Sequence, residues 1–205
     1  MTPRLYRQYF VDKGDERRDL FRLLADTFGP KTGLYPGSFV HVTPSFFIES
    51  MVYVDSDRRI RRFFEDPALR IFIDKNKEYP GPPTIDAHQG DFTGELPLAD
   101  GSFDIMFSLY SGFISRFCKR YLKSGGVLLA NNSHGDASLA SLDEDFEFVG
   151  AVHRRAEAFR LQTEGLEGFF KTKNGRPIDR EKVLRTMVGE GFTRTAYGYL
   201  FRKTD

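Results

Sequence analysis

The sequence predicts an α/β protein: a three-layer, doubly wound, mostly parallel sheet of about seven strands with helices on both faces. Two observations lead there. Short apolar runs rich in β-branched residues alternate with amphipathic helical stretches, the pattern of strands buried on both faces and joined by right-handed crossovers. The chain is also long enough, at 205 residues, to bury one sizeable core. Residues 1–205 are therefore expected to form a single domain, with residues 1–29 as a leading helical segment.

Taken in order, the stretch "DERRDLFRLLADTFGP" places Leu20, Phe21, Leu24 and Phe28 on one helical face, with Asp15 available as a cap and Gly29-Pro30 as the stop. A short strand at Thr32 to Tyr35 leads into the loop "LYPGSFVHV", after which Thr43 and Pro44 are placed to start a short helix. "MVYVDSD" reads as a buried strand ending abruptly in charge at Asp55. Two short helices follow, divided by Asp66-Pro67. Then come a modest strand in "PTIDAHQGD" and a stronger one in "SFDIMFSLY", reached through the Asp100-Gly101 turn. "GFISRFCKRYLKSGG" reads as a helix burying Ile114, Phe117, Cys118, Tyr121 and Leu122, and "VLLANNS" as the next strand. Beyond it, "FEFVGAVH" and "TAYGYLFRK" read as strands. "REKVLRTMVGEGF" reads as a helix with Val183, Leu184, Met187 and Val188 inward, and "GLEGFFKTKNGRP" as a loop.

Charge and cysteine content exclude several classes of function. Thirty Lys and Arg against 29 Asp and Glu give no overall pull toward nucleic acid or an anionic membrane. The cluster Arg58, Arg59, Arg61 and Arg62 reads first as a solvated helix face. The one cysteine, Cys118, cannot form an internal disulfide, and its place on a buried stripe argues against a nucleophile. No apolar run reaches the roughly 20 residues of a membrane span, and no signal-peptide core is present, so a cytoplasmic location is expected. The four histidines show no metal-ligand spacing, and "FSLYSGF" does not satisfy the nucleophile elbow of a hydrolase.

Two segments carry a family likeness. "GDFTGELPLADGSFDIMFSLYSGF" and "KRYLKSGGVLLANN" resemble the middle of class I S-adenosylmethionine-dependent methyltransferases, where an acidic residue after the third strand precedes an "LP...DGSFD" approach to the fourth. The resemblance covers roughly residues 30 to 135 and implies a methyltransferase-like Rossmann fold with S-adenosylmethionine as cofactor. In that family an acidic residue closing the second strand holds the ribose hydroxyls. Asp55 matches it, with Ser56 beside it; the plainer alternative is that Asp55 or Asp57 caps the next helix, and the strand context favours the ribose. Asp91 matches the acid near the adenine amino group, with Phe92 placed to flank the ring. A turn aspartate and a core phenylalanine are the plainer alternatives.

The family's first loop reads acidic-x-Gly-x-Gly-x-Gly. Here Tyr35 takes the acidic place, Gly37 the first glycine, Phe39 the second and His41 the third. Glycine allows positive φ and close approach of backbone to ligand, so the resemblance implies cofactor contacts from Tyr35, Gly37 and Ser38 with Phe39 turned away or the ligand further out; the rival reading has Tyr35, Phe39 and His41 filling the pocket. S-adenosylmethionine has no pyrophosphate, so a tight turn at Pro36-Gly37-Ser38 suffices in principle, and Thr43 or Ser45 can meet the methionine carboxylate. A nicotinamide enzyme would need the missing glycines more.

The end of the fourth strand faces the methyl group in this fold class, pointing to Ser108 as a cofactor contact and Tyr110 as a catalytic candidate. "NNSHGD" contributes His134 as a candidate base, histidine being the usual residue type for that role, or merely a solvated turn. The expected function is methyl transfer to a small-molecule acceptor, with no metal, nucleic-acid or membrane partner. The alternative is a catalytically inactive binding or interaction protein on the same fold. Oligomeric state is not legible.

Overall fold

The computed structural model describes residues 1–156 and 158–205. The chain divides into two compact units, Met1–Phe92 and Thr93–Asp205.

The first unit opens with helix α1 (Arg4–Tyr6), which runs into a wider π-type turn, Arg7–Val11, and then helix α2 (Arg18–Phe28). Leu20, Phe21 and Leu24 are buried on α2, as the periodicity predicts. Each such side chain contributes about 1.5 to 3 kcal/mol when taken out of water. Gly29 ends the helix in the left-handed region at φ 58°, its N–H closing on Ala25 O at 2.9 Å. Asp15 does not cap this helix: its carboxylate pairs with the Arg17 guanidinium instead, and the residue before the helix carries no side-chain cap.

Strands β1 (Thr32–Pro36), β2 (Ser50–Asp55) and β3 (Thr84–Gln89) lie in the order β3-β2-β1. All pairs are parallel, with Tyr35 opposite Tyr53 and Asp55 opposite Gln89. Between β2 and β3 run helices α3 (Arg59–Glu65) and α4 (Pro67–Asn76). Asp66 caps α4 by accepting from the Ala68 N–H at 2.9 Å, with Pro67 in the first turn where its missing N–H costs nothing. The turn Thr43–Phe46 is 3₁₀ in pitch. Thr43 does not cap it; the Thr43 hydroxyl lies 2.8 Å from the Tyr6 hydroxyl, which donates to Glu16 at 2.6 Å. Tyr6 also packs on Phe46 and Phe72, so an aromatic cluster anchors the N-terminal segment.

In the second unit, β4 (Phe103–Ser108) pairs in parallel with β5 (Leu122–Ala130). Strand β8 (Gly198–Lys203) runs antiparallel between β5 and β6 (Phe146–Arg155), and β7 (Ala158–Gln162) adds an antiparallel edge to β6. The structure thus has the α/β class the sequence predicts, with eight named strands among the described residues. β7 is the one the sequence reading did not anticipate.

Other boundaries move. The helix expected through "KSGG" ends early, as α5 (Ile114–Cys118) followed by the 3₁₀ turn Lys119–Tyr121. Leu122 to Gly126 belong to β5, with a register shift on β4 between Phe103 and Ile105. Helix α6 (Asp136–Ala140) grows out of "NNSHGD". Helix α7 (Arg180–Thr186) stops where Met187 turns left-handed at φ 52°. Met187 and Val188, read as inward-facing, are therefore on the surface, 45% and 59% exposed. Among the described residues no helix is long and apolar enough to cross a membrane.

Candidate functional site

In the first unit the loop after β1 is built around a carboxylate. Gly37 adopts φ 68° and donates its N–H to Val54 O at 2.7 Å, bending the chain across the end of β2. Phe39 is also left-handed, at φ 46°, a conformation that costs a non-glycine residue about 1 kcal/mol or more. Its backbone N–H donates to Asp55 Oδ2 at 2.7 Å, while Asp57 N–H donates to Asp55 Oδ1 at 2.8 Å. These two bonds fix the orientation of the half-buried acid. A carboxylate offers about four lone-pair positions, so two of them are left for a ligand.

The Phe39 ring is turned against Tyr9, edge to face at 5.0 Å between centroids, with the Arg59 guanidinium 4.5 Å from its centre. Arg59 forks onto Asp57, at 3.0 Å from Nε to Oδ1 and 2.7 Å from Nη2 to Oδ2, and donates to the Tyr9 hydroxyl at 3.0 Å. Those hydrogen bonds hold the Asp57 carboxyl below the usual carboxylate range. Tyr9 and Arg59 were missed from the sequence because nothing local ties residue 9 to residue 39.

Tyr35 and Ser38 are enclosed, at 2% and 3% exposure. A ligand at this loop would meet their backbone and not their side chains. The Tyr35 hydroxyl lies 3.1 Å from His41 Nδ1, and His41 Nε2 lies 3.1 Å from Glu16 O. A carbonyl only accepts, so Nε2 carries the ring proton and Nδ1 accepts from Tyr35. Burial, and then the nearby Arg17 charge, pushes the His41 pKa well below its ordinary value, keeping the ring neutral. Thr43 and Ser45, expected to be open to a ligand carboxylate, are fully buried. Their hydroxyls are committed to Tyr6 and Tyr53. Asp91 and Ser56 are exposed and Phe92 is half-buried. Gly90 N–H donates to Asp55 O at 2.9 Å, which brings the segment after β3 to the end of β2.

In the second unit a buried acid organises the ends of β4 and β5. Asp136 is fully buried and accepts from the Ser115 backbone N–H at 3.1 Å and the Ser115 hydroxyl at 2.5 Å, with further bonds from Ser108 and the Ile114 backbone. Burial outweighs these bonds and raises its pKa to about 6. Ser108, itself 1% exposed, thus directs its hydroxyl to Asp136 inside the unit. Cys118 lies near the same acid, and burial raises its thiol to about 12, so it is inert as a nucleophile.

Tyr110 is left-handed at φ 64° and half exposed. Its N–H points to Asn131 Oδ1 at 3.4 Å; the same oxygen accepts from the Ser133 hydroxyl at 2.9 Å, and Ser133 Oγ lies 3.0 Å from His134 Nδ1. Asn131 and Ser133 therefore join Tyr110 and His134 into one network. A cleft of about 380 Å³ opens beside it, lined by Tyr110, Asn131, Ser133, Lys173, Phe192 and Tyr197 among others. The lysine and the later aromatic residues were not singled out in the sequence, where Lys173 falls in a glycine-rich loop, Phe192 at the end of the stretch read as a helix and Tyr197 in the terminal strand.

The sequence matches no family model and no curated protein sequence. Solved structures do match. One is a Methanococcus maripaludis protein assigned as an S-adenosyl-L-methionine-dependent methyltransferase. It is 15% identical, the match covers 98% of this chain and 90% of that one, and the TM-score is 0.52. The chain has the class I methyltransferase fold. A second structure with this fold is the O-methyltransferase TomG of Streptomyces achromogenes, involved in tomaymycin synthesis and solved in complex with SAM. It is 12% identical, the match covers 92% of this chain and 80% of that one, and the TM-score is 0.51. The parallel strands β1 to β3, with the bend at Gly37 and the acid at Asp55, carry or adjoin every cofactor contact the sequence reading named except Ser108, at the end of β4.

Proposed function

We propose that the protein is an S-adenosylmethionine-dependent methyltransferase acting on a small-molecule acceptor. The observation that carries the reading is Asp55: a carboxylate closing β2, fixed by two backbone N–H groups, with acceptor positions left for the two hydroxyls of a ribose. The neighbour solved with SAM supports the same cofactor.

In this reading Gly37 and Ser38 present backbone to the methionine portion, and Asp55 and Ser56 receive the ribose. Asp91 and Phe92 take the adenine. The cofactor supplies an electrophilic methyl group when bound. Tyr110 and His134 serve the acceptor: with the Ser133 hydroxyl donating to Asn131, His134 Nδ1–H donates to Ser133 and Nε2 is left to take a proton where the acceptor must lose one. Tyr35 and Ser108 act indirectly, Tyr35 by holding His41 under the loop and Ser108 by holding Asp136.

Calorimetric titration with S-adenosylmethionine and with its demethylated product tests this. Saturable binding of both is expected. No heat change and no shift in melting temperature at millimolar ligand would remove the reading.

A further inference from the structure

We infer that the cleft beside Asn131 takes a planar aromatic carboxylate, and that such a molecule is the acceptor class; only the word acceptor rests on the methyl-transfer reading. Three features of the second unit point there.

The first is an unsatisfied donor. Asn131 is 5% exposed, lines the cleft, and has its side-chain oxygen occupied by Tyr110 and Ser133. Its Nδ2 is buried with no hydrogen-bond partner among the described residues. A buried amide N–H left unpaired costs about 1 to 3 kcal/mol, which a ligand oxygen recovers once a turn of the Asn131 side chain brings the amide to the cleft.

The second is charge. Lys173 lines the cleft, and among the described residues no carboxylate pairs with it. The other charged lining residue, Glu190, is neutralised by Lys182 at 3.0 Å. The cleft thus presents one uncompensated positive charge, suited to a monoanion. A phosphate dianion would call for more than one cation or an anion-binding nest of backbone amides.

The third is shape. Tyr110 and Tyr197 offer exposed or half-buried aromatic side chains to a space of about 380 Å³, with Phe192 and Tyr199 buried behind them, enough for a substituted single ring. The wall carrying Phe192 is fixed in place: Asn132 Nδ2 donates to Glu190 O at 3.0 Å, Glu190 N–H donates to Ser138 Oγ at 3.2 Å, and Lys173 N–H donates to Gly191 O at 2.8 Å. A pocket so braced needs little reorganisation to bind.

The experiment uses the full chain and three probes: 4-hydroxybenzoate, its neutral isostere 4-hydroxybenzamide, and the non-aromatic cyclohexanecarboxylate, titrated by NMR with and without S-adenosylhomocysteine. Saturable binding of 4-hydroxybenzoate is expected at the amides of Asn131, Ser133 and Phe192, at least about tenfold tighter than either comparator. Lys173→Gln should weaken it about tenfold. Asn131→Asp, which keeps an oxygen for Tyr110 and Ser133 while removing the free N–H, should weaken it further, read at a temperature where the variant is folded. Equal affinity for the three probes, indifference to Lys173→Gln, or no saturable binding would overturn the inference. Binding of 4-hydroxybenzoate without any binding of S-adenosylhomocysteine would uphold the cleft and overturn the methyl-transfer reading instead.

Discussion

The backbone N–H of Phe39 donates to the carboxylate of Asp55 at 2.7 Å. The bulky residue standing where a second glycine is usual is thus held by the acid expected to grip the ribose. The same two residues explain how a loop poor in glycine keeps a tight turn: Gly37 supplies one left-handed residue, and the hydrogen bond to Asp55 offsets the strain of the other.

Asp55→Asn should therefore destabilise the first unit before any ligand is considered. The amide keeps one acceptor oxygen but turns an NH₂ toward either Phe39 N–H or Asp57 N–H. A loss of about 1 to 3 kcal/mol is expected in urea unfolding. Asp55→Ala should in addition weaken S-adenosylmethionine by about tenfold or more, read by calorimetry at a temperature where the variant is folded.

Two buried groups give opposite pH dependences. Asp136 has its folded pKa raised to about 6 from 3.8, so its contribution is fully present below about pH 4 and is lost as pH rises through 6. Relative to Asp136→Asn, which does not titrate, the wild type should gain stability on going from pH 7 to pH 4. The gain is about 2 to 3 kcal/mol at most, since one pKa unit corresponds to about 1.4 kcal/mol. A gap that does not change with pH would contradict the buried, titrating acid.

His41 runs the other way. Its folded pKa is depressed by burial, so the unfolded chain takes up a proton below about pH 6.5 that the folded chain refuses. Stability from this group is present above that pH and falls as the solution is acidified. The advantage of wild type over His41→Gln should shrink steadily between pH 7 and pH 5 in denaturant titrations.

Gly189 is a packing requirement. A Cβ there would lie 2.3 Å from Asn132 O and 2.4 Å from the Asn132 side chain. Gly189→Ala must push the backbone away, and a loss of about 1 to 3 kcal/mol is expected. The Asn132 to Glu190 bond that braces the cleft should also weaken, seen as faster hydrogen exchange at Ser138 and Glu190.

What could be read from the sequence was set by local chemistry. Val52, Tyr53 and Val54 followed by charge mark β2 and place Asp55 at its end. Asp66-Pro67 marks the start of α4, and Gly29 the end of α2. What could not be read depended on distant partners. Leu122 to Gly126 look like a helix tail and turn, yet β4 pairs with Leu122 and draws the segment into β5. Ser45, Thr43 and Ser108 look like open hydroxyls, but Tyr53, Tyr6 and Asp136 claim them. Tyr9 and Arg59 reach Phe39 only through the tertiary fold. Beside the cleft, the link that Asn131 and Ser133 make between Tyr110 and His134 was not legible, because it runs from the end of β4 to the loop after β5.

The most direct test follows the backbone amides of Gly37, Phe39 and Asp57 by NMR during titration with S-adenosylmethionine. The account predicts saturable shifts at all three, with the Phe39 and Asp57 hydrogen bonds to Asp55 retained, and loss of the response in Asp55→Ala. Saturable binding that leaves these three amides unmoved, or no binding at all, would contradict it.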